Sequence, residues 1–497
     1  MRAQALSTRG SAALVLLATL AVHARTVALG FTGLDDRDLV VNDQAFLANQ
    51  ASLLRVFGRS YLHVVDPSHA YWRPLVTASY ILDAQWSGAH PWGYHATNVV
   101  LHAVASVLVL ALLRRFALGR GVALAAALVF AVHPALSTAV AWIPGRNDTL
   151  LAVMALASWW MLLKKKWLAH LAFFALALMA KETALALPVL WGMQLAWGRG
   201  RRDRRPWLVA AAWVALVVAR FVVHPGTPHA TAAEILANLP LLPIALGQIV
   251  LPVRPTVLAV ASDLPLWPGI VAAVGIALAA WRLPHARRPV IAFGALAFLL
   301  FLAPVLAVPG TLVQGHRLVL PAVGVLIALG EIVRALGPER RMLVAFAGVG
   351  VAALGLVTVG FEGAFRDPGA FAREAVASSP HSPMAHFCLG QVEQRAGDDD
   401  RALVEYRTAL ALGPAEVVHN DIAVIAMKDG RWPEAEAELR AELALNPGYG
   451  TAEYNLAIVL RHEARLTEAC EAVKSALEGS LEADEGARRE RARDCAP

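Results

Sequence analysis

Eleven apolar runs, separated by short clusters of arginine and lysine, constrain this chain more than any other feature. They fall near 11–31, 94–113, 121–140, 148–163, 167–180, 183–198, 207–223, 267–281, 289–307, 318–336 and 342–361. A hydrocarbon core takes about 20 apolar residues as a helix, and only helices or closed barrels satisfy the backbone inside it. The shorter runs demand tilt or local thinning of the bilayer. Composition agrees: 57% of the 497 residues are hydrophobic and 16% charged, against about 45–50% and about 25% in soluble domains. The net charge of +6 sits in loops between the runs rather than in one basic stripe. Cys388, Cys470 and Cys495 suggest neither a disulfide framework nor a metal site. A soluble enzyme, a disulfide-rich secreted protein and a nucleic-acid binder are therefore set aside.

The basic clusters orient the runs. Arg2 and Arg9 precede the first, and Arg114, Arg115 and Arg120 follow the second. Lys164–Lys166, the arginines from Arg199 to Arg205, the group Arg282, Arg287 and Arg288, and the group Arg334, Arg340 and Arg341 follow later runs. Such bias marks cytoplasmic loops. It predicts a cytoplasmic N-terminus and an extracytoplasmic C-terminal part. The stretch 235–253 is apolar too, but a full crossing there would put Arg282–Arg288 on the wrong side, so it reads as a re-entrant or surface-lying helix. The start, Arg2 to Ala24, also fits a cleavable signal peptide; the acidic loop directly after it favours an anchor.

After Phe361 the composition turns charged, alanine-rich and periodic. Pro380, Pro414 and Pro447 are 34 and 33 residues apart, and Leu389-Gly390, Ile422-Ala423 and Leu456-Ala457 repeat in step with Ala402, Ala435 and Ala469. That is the tetratricopeptide pattern, which stacks helix pairs around a concave groove. The organisation expected is all-α: a polytopic domain over 1–362 with a first outer loop at 32–93, a connection at 363–379, about three repeats over 380–480, and a disordered charged tail at 481–497.

Chemistry-bearing residues gather in the loops of the outer side. Asp35 and Asp36 follow the first run; paired carboxylates supply a general base or a divalent-cation site, and their spacing does not choose between these. Tyr71-Trp72-Arg73-Pro74 offers a guanidinium suited to phosphate, or a snorkelling side chain in an aromatic belt. His95, Asn98 and His102 share a helix face, His133-Pro134 and Gly145-Arg146-Asn147-Asp148 mark turns, and Lys181-Glu182 interrupts two apolar runs with no loop around it. Ionisable groups at membrane depth are functional candidates. With Arg317, the cations Arg73, Arg146 and Lys181 form a possible cradle for an anionic headgroup. Asn147-Asp148-Thr149 also matches a glycosylation sequon, and no Walker loop or dinucleotide fingerprint occurs.

In order along the chain, the acidic pair, Tyr-Trp-Arg-Pro, the block Gly93–Ala103, Phe130–Pro134, Gly145–Asp148 and Lys181-Glu182 resemble the transmembrane and tetratricopeptide-repeat O-mannosyltransferases and their bacterial relatives, of the GT-C class. The resemblance runs from the acidic pair through the repeats. It implies a GT-C-type membrane domain that transfers a sugar, commonly mannose, from a polyprenyl-phosphate donor to a hydroxyl, with inversion and on the extracytoplasmic side. It assigns the catalytic carboxylate to Asp35 and Asp36 and makes Arg73, Arg146 and Lys181 candidates for donor-phosphate contacts; Arg317 joins them from its place in the cradle, and His95, Asn98, His133, Asp148 and Glu182 are further site candidates. It implies a protein acceptor or partner on the repeats and leaves a divalent cation at Asp35/Asp36 open. Two departures stand out: Gly315-His316-Arg317-Leu318 replaces the usual Glu-Arg-Tyr-type entry to a late span, and the middle loop is shortened near His224–Ala233. The alternatives are a non-catalytic scaffold whose repeats recruit envelope proteins, and a lipid-linked-sugar transporter. The alanine- and arginine-rich composition suits a high-GC bacterium, hence an inner-membrane location.

Overall fold

Ser7 opens the first helix, Thr8–His23, with its Oγ accepting from Gly10 N at 3.0 Å. Proline recurs at the first turns of other helices, as in Pro74–Ser87, Pro91–Arg115 and Pro134–Ala141, where its missing N–H costs nothing. The computed structural model describes residues 7–62, 71–197, 205–223, 231–252, 255–284, 287–308, 312–415, 417–478 and 495. Arg2, the basic loop from Arg199 to Arg204, most of the shortened middle connection and the charged tail apart from Cys495 lie outside the described residues. The chain divides into two compact units, 1–64 with 68–371, and 372–497 with 65–67.

The first unit is a helix bundle around a continuous apolar core that includes Val109, Phe130, Leu151, Trp159, Phe174, Trp191, Phe298 and Ile327. Much of its outside is apolar as well. On the helix Arg340–Glu362, Phe346 is 71% and Leu356 74% exposed. Such a surface needs lipid as its solvent, and the chain is an integral membrane protein. Helices Arg288–Leu306 and Val319–Leu336 meet at Gly294 and Gly324, where a Cβ on either would lie 2.6 Å from the other's carbonyl oxygen. Small residues of this kind let membrane helices approach backbone to backbone.

Among the described residues six helices are long and apolar enough to cross a bilayer, or seven if the pair Arg120–Val132 and Pro134–Ala141, bent by 52° at the intervening His133, counts as one. The expected eleven are not confirmed. Trp167–Ala180, Trp207–Val222 and Trp267–Arg282 are shorter, and the run at 183–198 is split into a 3-10 turn, Glu182–Ala186, and the helix Leu187–Trp197. The stretch expected to lie on the surface contributes Ala232–Val250, long enough to span. Its middle, at Asn238 between the helices Ala232–Ala237 and Leu241–Val250, and its C-terminal turn nevertheless meet the same end of the bundle. Asn238 Nδ2 donates to Leu306 O (3.0 Å) and Val308 O (2.9 Å), and Ile249 O accepts from His133 Nε2 at 2.9 Å. Leu306 and the Gly315 turn beside His133-Pro134 flank the same hairpin connection.

The segment after the first helix is folded rather than open: a π-turn at Arg37–Asn42, short helices, and the helix Pro74–Ser87, which buries Val76, Tyr80 and Ile81. Among the described residues the one sheet is a two-residue antiparallel pairing of Ala259–Val260 with Leu312–Val313.

The second unit stacks helix pairs: Pro383–Arg395 with Asp399–Leu412, Val418–Lys428 with Trp432–Leu445, and Gly450–His462 with Leu466–Glu478. The repeated alanines Ala402, Ala435 and Ala469 are fully buried, where a larger side chain would force the paired helices apart. His386 with Glu405 and His419 with Glu438, each at 2.6 Å, link the two helices of successive repeats. One expectation is corrected. Cys470 and Cys495 form a disulfide across 25 residues, and Cys495 packs near Val473 and Leu477. The tail is thus tied to the last repeat at that point, a pairing that two cysteines so far apart in an otherwise cysteine-poor chain did not signal; Cys388 alone is a buried free thiol.

Candidate active site

The acidic pair divides its labour. Asp36 is buried; its Oδ2 accepts from Thr32 N (2.6 Å) and Thr32 Oγ1 (3.0 Å), and its Oδ1 from Gly33 N (3.1 Å). This carboxylate closes the turn after the first helix. Asp35, half-buried, has no hydrogen bond to another residue's side chain among the described residues. Burial, reinforced by Asp38, pushes the Asp35 carboxyl up to about 6, while Arg73 pulls the other way. Burial is also the largest influence on Asp36, pushing it up to about 7 against the donors of Thr32 and Gly33. Among the described residues no group of three or more His, Cys, Asp or Glu side chains stands together to hold a metal ion.

Arg73 stands just before Pro74, whose fixed φ suits the first turn of the helix. It donates from Nη2 (3.0 Å) and Nε (3.4 Å) to Glu182 and lies over the rings of Tyr71 and Tyr61 at 4.8 and 5.3 Å. Lys181, in extended backbone, occupies the break after Trp167–Ala180, and Glu182 opens the 3-10 turn that follows. Lys181 Nζ lies 2.6 Å from Asp148 Oδ2, on the first turn of the helix Arg146–Leu163, where a carboxylate suits the helix dipole. His316 Nε2 approaches the same oxygen at 3.9 Å. Arg317, on the 3-10 turn Gly315–Leu318, makes no ion pair among the described residues. Arg73, Lys181 and Arg317 lie near enough to repel one another, with Asp148 attracting all three. Three cations against two carboxylates, Asp148 and Glu182, leave this pocket short of negative charge.

The remaining sequence candidates are placed elsewhere. Arg146 is fully buried and consumed: Nε donates to Asn98 Oδ1 (2.8 Å), Nη1 to Ser79 Oγ (3.1 Å), Nη2 to Tyr94 O (2.6 Å), with Asp83 at 2.5 Å and the Tyr80 ring below. Asn98 Nδ2 reaches the carbonyls of Val140, Trp142 and Ile143. His95 Nε2 donates to Gly30 O at 3.2 Å. His133 takes Ala135 N on Nδ1, capping the short helix after the bend. These four hold backbone turns. Gly145 sits in the same knot, where a Cβ would fall 2.7 Å from Thr138 O.

Three residues escaped the sequence reading. Tyr61, buried between Asn147 (3.2 Å) and Tyr80 (3.4 Å), stands beside Arg73 and Asp35. Arg220 covers the Trp72 ring at 4.8 Å and reaches Glu182 at 3.9 Å. Trp142 contacts the His316 ring at 5.1 Å between centroids. For Tyr61 no local signal existed, since its neighbours come from segments 12 to 86 residues away.

No family model matches the chain. It is similar to curated protein O-mannosyl-transferases: 36% identical over 180 residues to Tmtc1 of Drosophila melanogaster, covering 35% of this chain and 21% of that protein. To Tmtc2 of the same organism it is 30% identical over 244 residues, covering 44% and 26%. Mouse TMTC3 is 39% identical over 101 residues, covering 20% and 11%. The chain thus aligns with about a quarter or less of these relatives' length. Among solved structures, the APC/C hetero-tetramer Cut9–Hcn1 aligns at a TM-score of 0.25 and 12% identity, too low to bear on the fold.

Proposed function

We propose that this membrane protein, a relative of protein O-mannosyl-transferases, transfers a hexose, mannose first among the candidates, from a polyprenyl-phosphate carrier to a hydroxyl of a protein acceptor. The observation that carries the reading is the pairing of a cation-rich pocket, Arg73, Lys181 and Arg317, with the unengaged carboxylate of Asp35 on the same outer loops. Asp35 takes the proton of the acceptor hydroxyl as its oxygen bonds to the anomeric carbon from the face opposite the phosphate. The bond from that carbon to the phosphate oxygen breaks, and the configuration inverts. Polyprenyl phosphate leaves with one more negative charge, which fixed Arg and Lys donors in a water-poor site stabilise most at the transition state. Asp36 keeps the Asp35 turn in place, and Glu182 and Asp148 orient Arg73 and Lys181. Arg146 belongs to the scaffold that carries the His-Pro and Gly-Arg-Asn-Asp turns.

The side of the membrane follows from charge and redox. An extracytoplasmic pocket and repeat unit are supported by the basic loops, which read as cytoplasmic, and by the Cys470–Cys495 disulfide, of the kind that persists in an oxidising compartment. The repeats then present or gather the protein acceptor. The test is transfer of labelled hexose from polyprenyl-phosphate hexose by the purified full chain, with envelope extract as acceptor, in parallel with Asp35→Asn. Label reaching protein with wild type and not with the variant is the expected result. Equal transfer by both removes Asp35 as the base, and no transfer from any hexose donor removes the enzyme reading.

A further inference from the structure

The 52° bend at His133 takes two carbonyls away from their helical partners. In a continuous helix Ala135 N would donate to Ala131 O and Leu136 N to Val132 O. Here Ala135 N turns to His133 Nδ1 at 3.2 Å and Leu136 N to His133 O at 3.0 Å, and Pro134 has no N–H to offer. Side chains from three other helices fill the gap. His23, at the end of Thr8–His23, and His102, on Pro91–Arg115, each donate from Nε2 to Ala131 O, at 3.0 and 3.3 Å. Thr358, on Arg340–Glu362, donates its hydroxyl to Val132 O at 2.7 Å. One turn further on, Glu362 Oε1 lies 2.5 Å from His23 Nδ1. All four side chains are fully buried, and ionisable groups at membrane depth are costly enough to call for a role. A carbonyl only accepts, so both Nε2 atoms carry hydrogen, and the bond between His23 Nδ1 and Glu362 holds one proton shared by imidazole and carboxyl.

Beyond the bend, the short helix Pro134–Ala141 is the mounting on which much of the donor pocket stands. Gly315 approaches it so closely that a Cβ would lie 2.7 Å from Ala135 O and 3.1 Å from Thr138 Oγ1, and Arg317 follows on the same 3-10 turn. A Cβ on Gly145 would lie 2.7 Å from Thr138 O, and three residues later Asp148 holds Lys181 at 2.6 Å. Two of the three pocket cations are therefore placed by turns packed backbone to backbone on one helix of eight residues.

We propose that His23 and Glu362, with Thr358, are positioning residues for transfer: they fix the bend at His133, and through the short helix after it they set Arg317 and the Asp148–Lys181 pair. The assignment rests on the transferase reading above. No hydrogen bond or ion pair joins His23, Thr358 or Glu362 to Arg73, Lys181 or Arg317 among the described residues. Their influence travels through the backbone of the bend, which close packing at Gly145 and Gly315 transmits because neither contact has room to yield. The same clasp fastens the first helix to the last.

The experiment uses the full chain in lipid nanodiscs, with transfer from polyprenyl-phosphate hexose and hydrogen exchange at residues 135–142 and 315–317 read separately. Glu362→Leu removes the partner of His23, whereas Glu362→Gln keeps a donor for Nδ1 in its amide. Thr358→Val removes one hydroxyl at nearly constant shape and serves should Glu362→Leu fail to fold. Kinetics are measured below the unfolding temperature of each variant. A small displacement of the pocket cations predicts a loss of about 10–100-fold in kcat/KM for Glu362→Leu, most of it recovered in Glu362→Gln. Loss of one hydrogen bond predicts a fall of roughly 3–10-fold in Thr358→Val. Faster exchange at both segments accompanies the loss in Glu362→Leu and not in Glu362→Gln. A lower unfolding temperature with wild-type kcat/KM in Glu362→Leu overturns the proposal and leaves the clasp a stabilising contact only. Equal losses in Glu362→Leu and Glu362→Gln also overturn it, since the hydrogen bond would then not be what acts. Absence of transfer by wild type sinks the transferase reading instead; the link from clasp to pocket then stands on faster exchange at both segments in Glu362→Leu, and falls if exchange is unchanged.

Discussion

Replacing Arg146 by methionine tests the division between scaffold and donor pocket. The guanidinium is fully buried, ion-paired to Asp83 at 2.5 Å and hydrogen-bonded to Asn98, Ser79 and Tyr94. Methionine fills much of the volume but strands the Asp83 carboxylate, which retains only the Thr97 hydroxyl at 2.7 Å. Breaking a buried pair from one side costs about 3–5 kcal/mol. The lost bonds at Asn98, Ser79 and Tyr94 fall within the same relaxation and are not added separately. For a large unit this corresponds to a fall in Tm on the order of 10 °C, read by thermal unfolding of the detergent-solubilised protein. Removing the stranded charge as well, in Asp83→Leu with Arg146→Met, recovers part of the loss, because the penalty is the uncompensated carboxylate. Donor affinity of Arg146→Met, measured below its unfolding temperature, stays within a few-fold of wild type. The reasoning is refuted if the single variant unfolds within a degree or two of wild type while donor binding collapses; Arg146 would then be a phosphate ligand.

Asp35→Asn should lower transfer by about 10²–10⁴-fold with little change in unfolding temperature, whereas Asp36→Asn should destabilise the Thr32–Gly33 turn and lower activity through it; identical behaviour of the two would contradict the assigned roles. Because Asp35 acts ionised and its carboxyl lies near 6, transfer should drop about tenfold per pH unit below that value and be flat above it, as a pH–rate profile of kcat/KM would reveal. Lys181→Met should reduce kcat by about 10²–10³-fold, and a variant with wild-type kcat would remove Lys181 from leaving-group stabilisation. Reduction, or Cys470→Ser, should cost the repeat unit about 2–4 kcal/mol, seen as earlier proteolysis of its last helix pair; alkylation before reduction should tag one cysteine, Cys388, and only once the unit is unfolded.

The membrane class, the orientation signal and the helical repeats were legible in the sequence because each is a periodic property of neighbouring residues. Apolar runs answer to bilayer thickness, basic clusters to loop position, and the alanine–proline spacing to the stacking of one helix pair on the next. Span count was not settled in that way. A run such as 183–198 looks continuous, yet it breaks where Glu182 turns to meet Arg73 and Arg220, and that depends on partners more than 30 residues away. The same holds for the candidate site. Asp35 and Asp36 are indistinguishable neighbours until Thr32 and Gly33 claim one carboxylate and leave the other. Arg73 and Arg146 each follow or precede a proline or glycine turn and read alike as phosphate ligands; only packing gives Arg146 to Asp83 and Asn98 and leaves Arg73 beside the pocket. The chemical inventory is written along the chain, but which charges are already satisfied is decided by what the fold brings within 3 Å of them.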